Sequence, residues 1–125
     1  MRIIAGRWRG RRITAPSTHL TRPTADRVRE SLFNVIASIL KNEGRTFEDF
    51  RVLDVFAGSG ALGFEAISRG APSGAFIEQN VEAFTTLLEN IQHLKAQELL
   101  PAYRRDACDP GKPHGTFNMI FLDPP

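Results

Sequence analysis

With 125 residues, 42% hydrophobic and 24% charged, the chain has the size of one domain and the composition of an ordinary globular protein. No apolar run approaches the ~20 residues that span a bilayer, and the opening Met1-Arg2-Ile3-Ile4 lacks the apolar core of a signal peptide. A single cysteine, Cys108, excludes an internal disulfide and fits a reducing, cytoplasmic compartment.

The net charge of +2 hides an asymmetry. Residues 1–30 carry eight arginines (Arg2, Arg7, Arg9, Arg11, Arg12, Arg22, Arg27 and Arg29) against Asp26 and Glu30, while acids outnumber bases twelve to eight over the remainder. A basic arm on a mildly acidic body suits a polyanionic partner. Arginine's planar fork matches phosphates and base edges. A solvated arm with incidental charge is the competing reading.

In chain order, residues 2–5 and 11–15 are short β-like runs around Gly6-Arg7-Trp8-Arg9-Gly10, read as a hairpin with an Arg/Trp tip. Trp8 is placed either against a nucleotide or in local packing. Residues 16–23 form a loop bounded by Pro16 and Pro23. A helix is predicted over 24–41, with Thr24 or Thr21 as N-cap and Val28, Leu32, Val35, Ile36, Ile39 and Leu40 as its apolar face. Phe33 reads as core, and Asn34 as an exposed helix residue. Residues 42–50 are a polar linker anchored by Phe47 and Phe50.

From Arg51 the pattern becomes β-α-β-α-β-β: strands over 51–56, 74–78, 100–105 and 118–122, helices over 61–69 and 81–97. The second helix would bury Phe84, Leu87, Leu88, Ile91 and Leu94. Strands alternating with helices predict parallel βαβ units, an α/β Rossmann-like sheet with helices on both faces. The chain thus reads as one domain, with a basic hairpin and helix over 1–42 preceding a core over 51–125.

The chemistry-bearing stretch is Val52-Leu53-Asp54-Val55-Phe56-Ala57-Gly58-Ser59-Gly60-Ala61-Leu62-Gly63. It contains G-x-G-x-x-G between a strand and a helix, and Glu78 lies 20 residues after Gly58. That spacing satisfies the dinucleotide fingerprint, so a nicotinamide-dependent oxidoreductase is one reading. Asp54 argues for S-adenosyl-L-methionine instead. A carboxylate ahead of the first glycine would face a pyrophosphate unfavourably, but suits a ligand carrying an ammonium and a sulfonium. Asp54, Glu78, Asp106 and Asp123 all fall at or just past the ends of predicted strands, where ligands of such sheets bind. Cys108, flanked by Asp106 and Asp109, lacks a matched His motif and reads as a passive thiol. His19, His93 and His114 lack ligand spacing, so no metal is expected.

Arg2-Ile3-Ile4-Ala5-Gly6, Arg22-Pro23-Thr24, Arg27-Val28-Arg29-Glu30-Ser31-Leu32-Phe33-Asn34, Leu53-Asp54-Val55-Phe56-Ala57-Gly58-Ser59-Gly60 and Leu122-Asp123-Pro124-Pro125 together resemble the bacterial small-subunit ribosomal RNA guanine-N2 methyltransferases. The resemblance runs from residue 1 to 125. The glycine and Asp-Pro-Pro motifs are widely shared among methyltransferases. The N-terminal Arg-Pro-Thr…Arg-Glu…Phe-Asn block is the specific part.

The resemblance implies a class I, S-adenosylmethionine-dependent enzyme acting on small-subunit ribosomal RNA or the assembling subunit, with neither membrane nor metal. It implies cofactor roles for Thr24, Asp54, Gly58, Gly60, Glu78, Asp106 and Ala107, and catalytic roles for Asp123, Pro124 and Pro125. Arg2, Arg7, Trp8, Arg9, Arg11, Arg12 and Arg22 are the expected nucleic-acid contacts. An Asp-Pro-Pro motif of this type continues with an aromatic residue, and the sheet with further strands. The chain stops at Pro125, so the sheet is expected to be incomplete. A DNA adenine-N6 methyltransferase and an inactive nucleic-acid-binding fragment remain alternatives.

Overall fold

A computed structural model describes residues 1–17, 25–112 and 115–125. Its centre is a four-stranded, wholly parallel sheet in the order β3-β2-β1-β4, built from β1 (Arg51–Asp54), β2 (Ser73–Ile77), β3 (Ala102–Tyr103) and β4 (Met119–Phe121). Leu53 sits opposite Ala75 on one side and Ile120 on the other. β1 and β2 are short and rich in buried apolar residues, as expected of parallel strands covered on both faces. β3 is a two-residue edge strand, far shorter than the predicted 100–105. The described helices are α1 (Asp26–Asn42), α2 (Ala61–Ser68) and α3 (Val81–His93). None is long and apolar enough to cross a membrane.

α2 is buried along its whole length, and two glycines of the motif allow that. Gly60, its N-cap, holds a left-handed φ of 89°, and a Cβ there would lie 2.5 Å from the Phe64 ring. A Cβ on Gly63 would lie 2.3 Å from the Phe76 ring of β2, so glycine sets the closeness of helix to sheet. α3 is capped by the Asn80 side chain, which accepts from the Ala83 amide at 2.9 Å. It ends at His93, short of the predicted 97, and Lys95 turns the chain with φ 54°. Leu88, expected inside, is 45% exposed.

The N-terminal arm forms a hairpin-like excursion with one antiparallel bridge, Arg2 to Arg12, and an Ile3 amide bond to the Arg11 carbonyl at 3.0 Å. It docks on the core. Ile3, Trp8 and Ile13 are buried within the same apolar cluster as Phe64 and Phe76. Trp8 meets Phe64 edge-on at 6.3 Å between centroids.

α1 corrects the predicted face. Its buried residues are Arg29, Phe33 and Leu40, with Phe33 lodged between Phe47 and Phe121. Val28, Leu32, Val35 and Ile39 form an exposed stripe instead. The helix is turned by Arg29, whose guanidinium reaches inward to pair with Glu65 of α2 at 3.3 Å. Glu65 is fully buried and also accepts from the Ile4 and Ala5 amides and from Arg69. Ala25 stands at the N-cap position without a side-chain cap bond, and Thr21 and Thr24 lie outside the described residues.

Candidate active site

The chain runs outward from β1 to β2 to β3, then returns to place β4 on the other side of β1. The carboxyl ends of β1 and β4 therefore flank the topological switch point, where loops diverge and leave a crevice. A cleft of about 1270 Å³ opens there. Its walls include Gly58, Glu78, Ala107 and Asp123, with Pro124 and Pro125 beyond β4.

The loop after β1 forms the floor. Phe56, Gly58 and Gly60 all hold positive φ, at 65°, 55° and 89°. For Phe56 that conformation is strained, and such strain concentrates at functional sites. The Phe56 side chain is part-exposed and lines the cleft. Glu78, at the end of β2, braces the loop. One carboxylate oxygen accepts from the Gly58 amide and the other from the Asn80 amide, both at 2.8 Å.

Asp54 lies beneath the cleft, buried, and accepts from the Gly63 amide in the first turn of α2 at 3.1 Å. Burial pushes its carboxyl up to about 7. The Gly63 hydrogen bond opposes that, and the charges of Asp123 and Glu78 add to it. Three carboxylates from three strand ends thus share one electrostatic neighbourhood. One amide in the first turn of α2, that of Gly63, is already taken by the protein's own carboxylate. The cleft therefore disfavours a pyrophosphate and suits a ligand that is cationic at one end.

Asp106 is exposed and accepts from the Cys108 amide at 2.8 Å in a turn, whereas its neighbour Ala107 faces the cleft. Gly60 is buried under the floor. Thr24 and Arg22 lie outside the described residues. Among the described residues no cluster of three His, Cys, Asp or Glu side chains could hold a metal ion.

Of the expected nucleic-acid contacts, Arg2, Arg7, Arg9, Arg11 and Arg12 are exposed. Several are oriented internally: Arg2 donates to the Gly10 carbonyl at 2.7 Å, Arg11 to the His93 carbonyl at 3.1 Å, and Arg7 lies over the Trp8 ring. Trp8 is a correction. The residue is 8% exposed and packed in the core cluster, with Arg7 over its ring, so it is placed for packing rather than for stacking on a base. Arg29, counted with the arm's charge, is likewise spent inside the protein. Pro16, Phe56 and Leu32 were not singled out as cleft residues. Glu65 and Asn90 were missed too, although an acid in the otherwise apolar run of α2 and an amide at core spacing in α3 were both visible signals.

A family model described as conserved hypothetical protein 95 matches residues 1–125. The chain belongs to that family. Ribosomal RNA small subunit methyltransferase D of Escherichia coli (strain K12) is 41% identical over 128 residues, covering all of this chain and 60% of that protein. The protein of the same name from Haemophilus influenzae is 39% identical over 131 residues and is covered to 63%. Among solved structures, Escherichia coli yhhF superposes with a TM-score of 0.80 at 39% identity, over 100% of this chain and 64% of that one. The chain thus spans less than two thirds of the length of these relatives. The family carries the Rossmann-like methyltransferase fold, and the four parallel strands here are part of that sheet. The resemblance read from the motifs and the names of these relatives agree on a small-subunit ribosomal RNA methyltransferase family.

Proposed function

We propose that the protein transfers a methyl group from S-adenosyl-L-methionine to the exocyclic N2 amine of a guanine in small-subunit ribosomal RNA, in the cytoplasm. The observation that carries this reading is the convergence of Asp54, Glu78 and Asp123 at the switch point, with Asp54 on the Gly63 amide in the first turn of α2.

Glu78 retains lone pairs on both oxygens beside its two backbone donors, and accepts the ribose hydroxyls. The apolar walls, including Phe56, Ile77 and Ala107, take the adenine, with Asp106 near its edge. Gly58 and Gly60 shape the loop that the ligand rests against, and Thr24 belongs to the segment assigned to the methionine end. Asp54 supplies negative potential from below. When bound, the cofactor supplies a methyl group on a sulfonium, open to in-line displacement.

A guanine N2 amine is a poor nucleophile because its lone pair is delocalised into the ring. Asp123 and the Pro124 carbonyl accept its two hydrogens and turn the lone pair toward the methyl group, and Pro125 stiffens the turn. Asp123 then takes the proton. Holding the reactants in that geometry contributes several kcal/mol. Exposed arm arginines, Arg2, Arg7, Arg9, Arg11 and Arg12, together with Arg22, contact RNA phosphates.

The test is transfer of radiolabelled methyl groups by the full-length protein to undermodified small ribosomal subunits and to duplex DNA. Methylation of ribosomal RNA at guanine N2, lost by at least ~100-fold in Asp123→Ala with cofactor affinity kept, is the expected result. Methylation of DNA adenine instead, or an active Asp123→Ala protein, overturns the reading.

A further inference from the structure

Asn90 of α3 is 3% exposed, and its side chain joins the N-terminal arm to the loop under the cleft. Its Oδ1 accepts from the Thr14 amide at 3.0 Å, and its Nδ2 donates to the Thr14 carbonyl at 2.9 Å. One side-chain amide thus replaces a strand partner for Thr14. The same Nδ2 donates to the Ser59 carbonyl, between the first two glycines of the motif, at 2.9 Å. The Ser59 hydroxyl in turn approaches Met1 Sδ at 3.7 Å, so the arm reaches Ser59 at a second point. Two residues past Thr14, Pro16 lines the same cleft as Gly58 and Ser59.

We propose that Asn90 is a positioning residue that couples the cleft to the basic arm, so that cofactor and RNA each tighten the binding of the other. This rests on the methyltransferase reading given above. A ligand in the cleft contacts the loop and the Pro16 wall together. It therefore favours the arrangement in which Asn90 holds arm and loop in register. RNA bound along Arg7 to Arg12 favours the same arrangement from the other side. Linkage then requires the two effects to be equal. The amide is suited to this because it has no spare donor and sits where water cannot replace a lost bond. A carboxylate at the same place keeps the Thr14 amide as donor, but loses both bonds made by Nδ2 and faces two carbonyl oxygens instead.

The experiment measures binding of a labelled small-subunit ribosomal RNA transcript to the full-length protein by fluorescence anisotropy, with and without saturating S-adenosylhomocysteine. The native protein should bind RNA about 5-fold or more tightly when the cofactor analogue is present. In Asn90→Asp that ratio should fall below about 2-fold. A loss of folding stability alone raises the ratio, because the analogue favours the folded protein, and so moves it opposite to a loss of coupling. A second measurement needs no variant: S-adenosylhomocysteine should slow hydrogen exchange at the Thr14 amide of the native protein. An unchanged ratio in Asn90→Asp, or Thr14 exchange indifferent to the analogue, overturns the coupling. Independent binding of analogue and RNA by the native protein overturns the coupling and leaves the methyltransferase reading intact. Failure of the native protein to bind S-adenosylhomocysteine at all overturns that reading and the coupling with it.

Discussion

Asp54 carries a cost in stability at neutral pH that a cationic ligand would offset. An Asp in the unfolded chain loses its proton near 3.8, whereas in the fold the proton is held to about 7. Between those values the folded protein binds more protons, so stability falls as pH rises and the loss is complete above about 7. Asp54→Asn keeps an oxygen for the Gly63 amide and removes the buried charge. It should gain roughly 2–4 kcal/mol at pH 8 and little at pH 4, read from denaturant melts at the two pH values. A cation in the cleft reverses the preference and favours the carboxylate. Binding of S-adenosylmethionine should therefore release protons below about pH 7 and weaken as pH falls, which titration calorimetry in buffers of different ionisation enthalpy measures. Asp54→Asn should lose that pH dependence together with affinity. The strand-end acids were legible in the sequence because glycine motif and strand pattern fix where a strand stops. The burial of Asp54 beneath the floor was not legible, since it follows from how closely α2 lies on the sheet.

At the scale of elements, α1 and the arm are held by a buried acid. Glu65 accepts from Arg29, Arg69 and two amides of the arm, joining three segments. Removing it takes one carboxylate partner from the buried Arg29, which keeps Asp26, and takes the acceptor from the Ile4 and Ala5 amides, so Glu65→Ala should cost about 3–5 kcal/mol in chemical denaturation. The exposed face of the same arm should behave oppositely. Arg9→Ala with Arg12→Ala should leave the melting curve nearly unchanged and flatten the salt dependence of RNA binding. The slope should fall by about 0.7–0.9 for each phosphate that is no longer neutralised, measured by anisotropy across a salt series. Helix and strand order was readable because α3 is strongly periodic, α2 and β2 are apolar runs bounded by glycine and proline, and the Asn80 cap is a local signal. The face of α1 was not. Its apolar residues occupy two stripes, and tertiary contacts, the pairing of Arg29 with Glu65 and the seat of Phe33 between Phe47 and Phe121, decide which stripe faces inward. β3 was over-read because Leu100 and Pro101 are apolar for packing reasons, while the ladder contains only Ala102 and Tyr103.

At the scale of the whole molecule, Val28 and Leu32 of α1 line the cleft together with Ile120 of β4 and Leu122 just after it, and Val35 and Ile39 extend the same stripe. β4 also ends the sheet, with one edge unpaired among the described residues. Patches of this kind mark contact surfaces. The 125-residue chain on its own should associate in light scattering, and Val35→Lys with Ile39→Lys should shift it toward monomer. The Rossmann-like order of the strands and the switch-point cleft are common to many nucleotide-binding proteins, so the decisive matter is which nucleotide enters. Titration calorimetry of the full-length protein with S-adenosylhomocysteine and with NAD, native and Glu78→Ala, asks this directly. Binding of S-adenosylhomocysteine alone, weakened by roughly 1–3 kcal/mol in Glu78→Ala, is the predicted result; binding of NAD in its place, or indifference to the loss of Glu78, would contradict it.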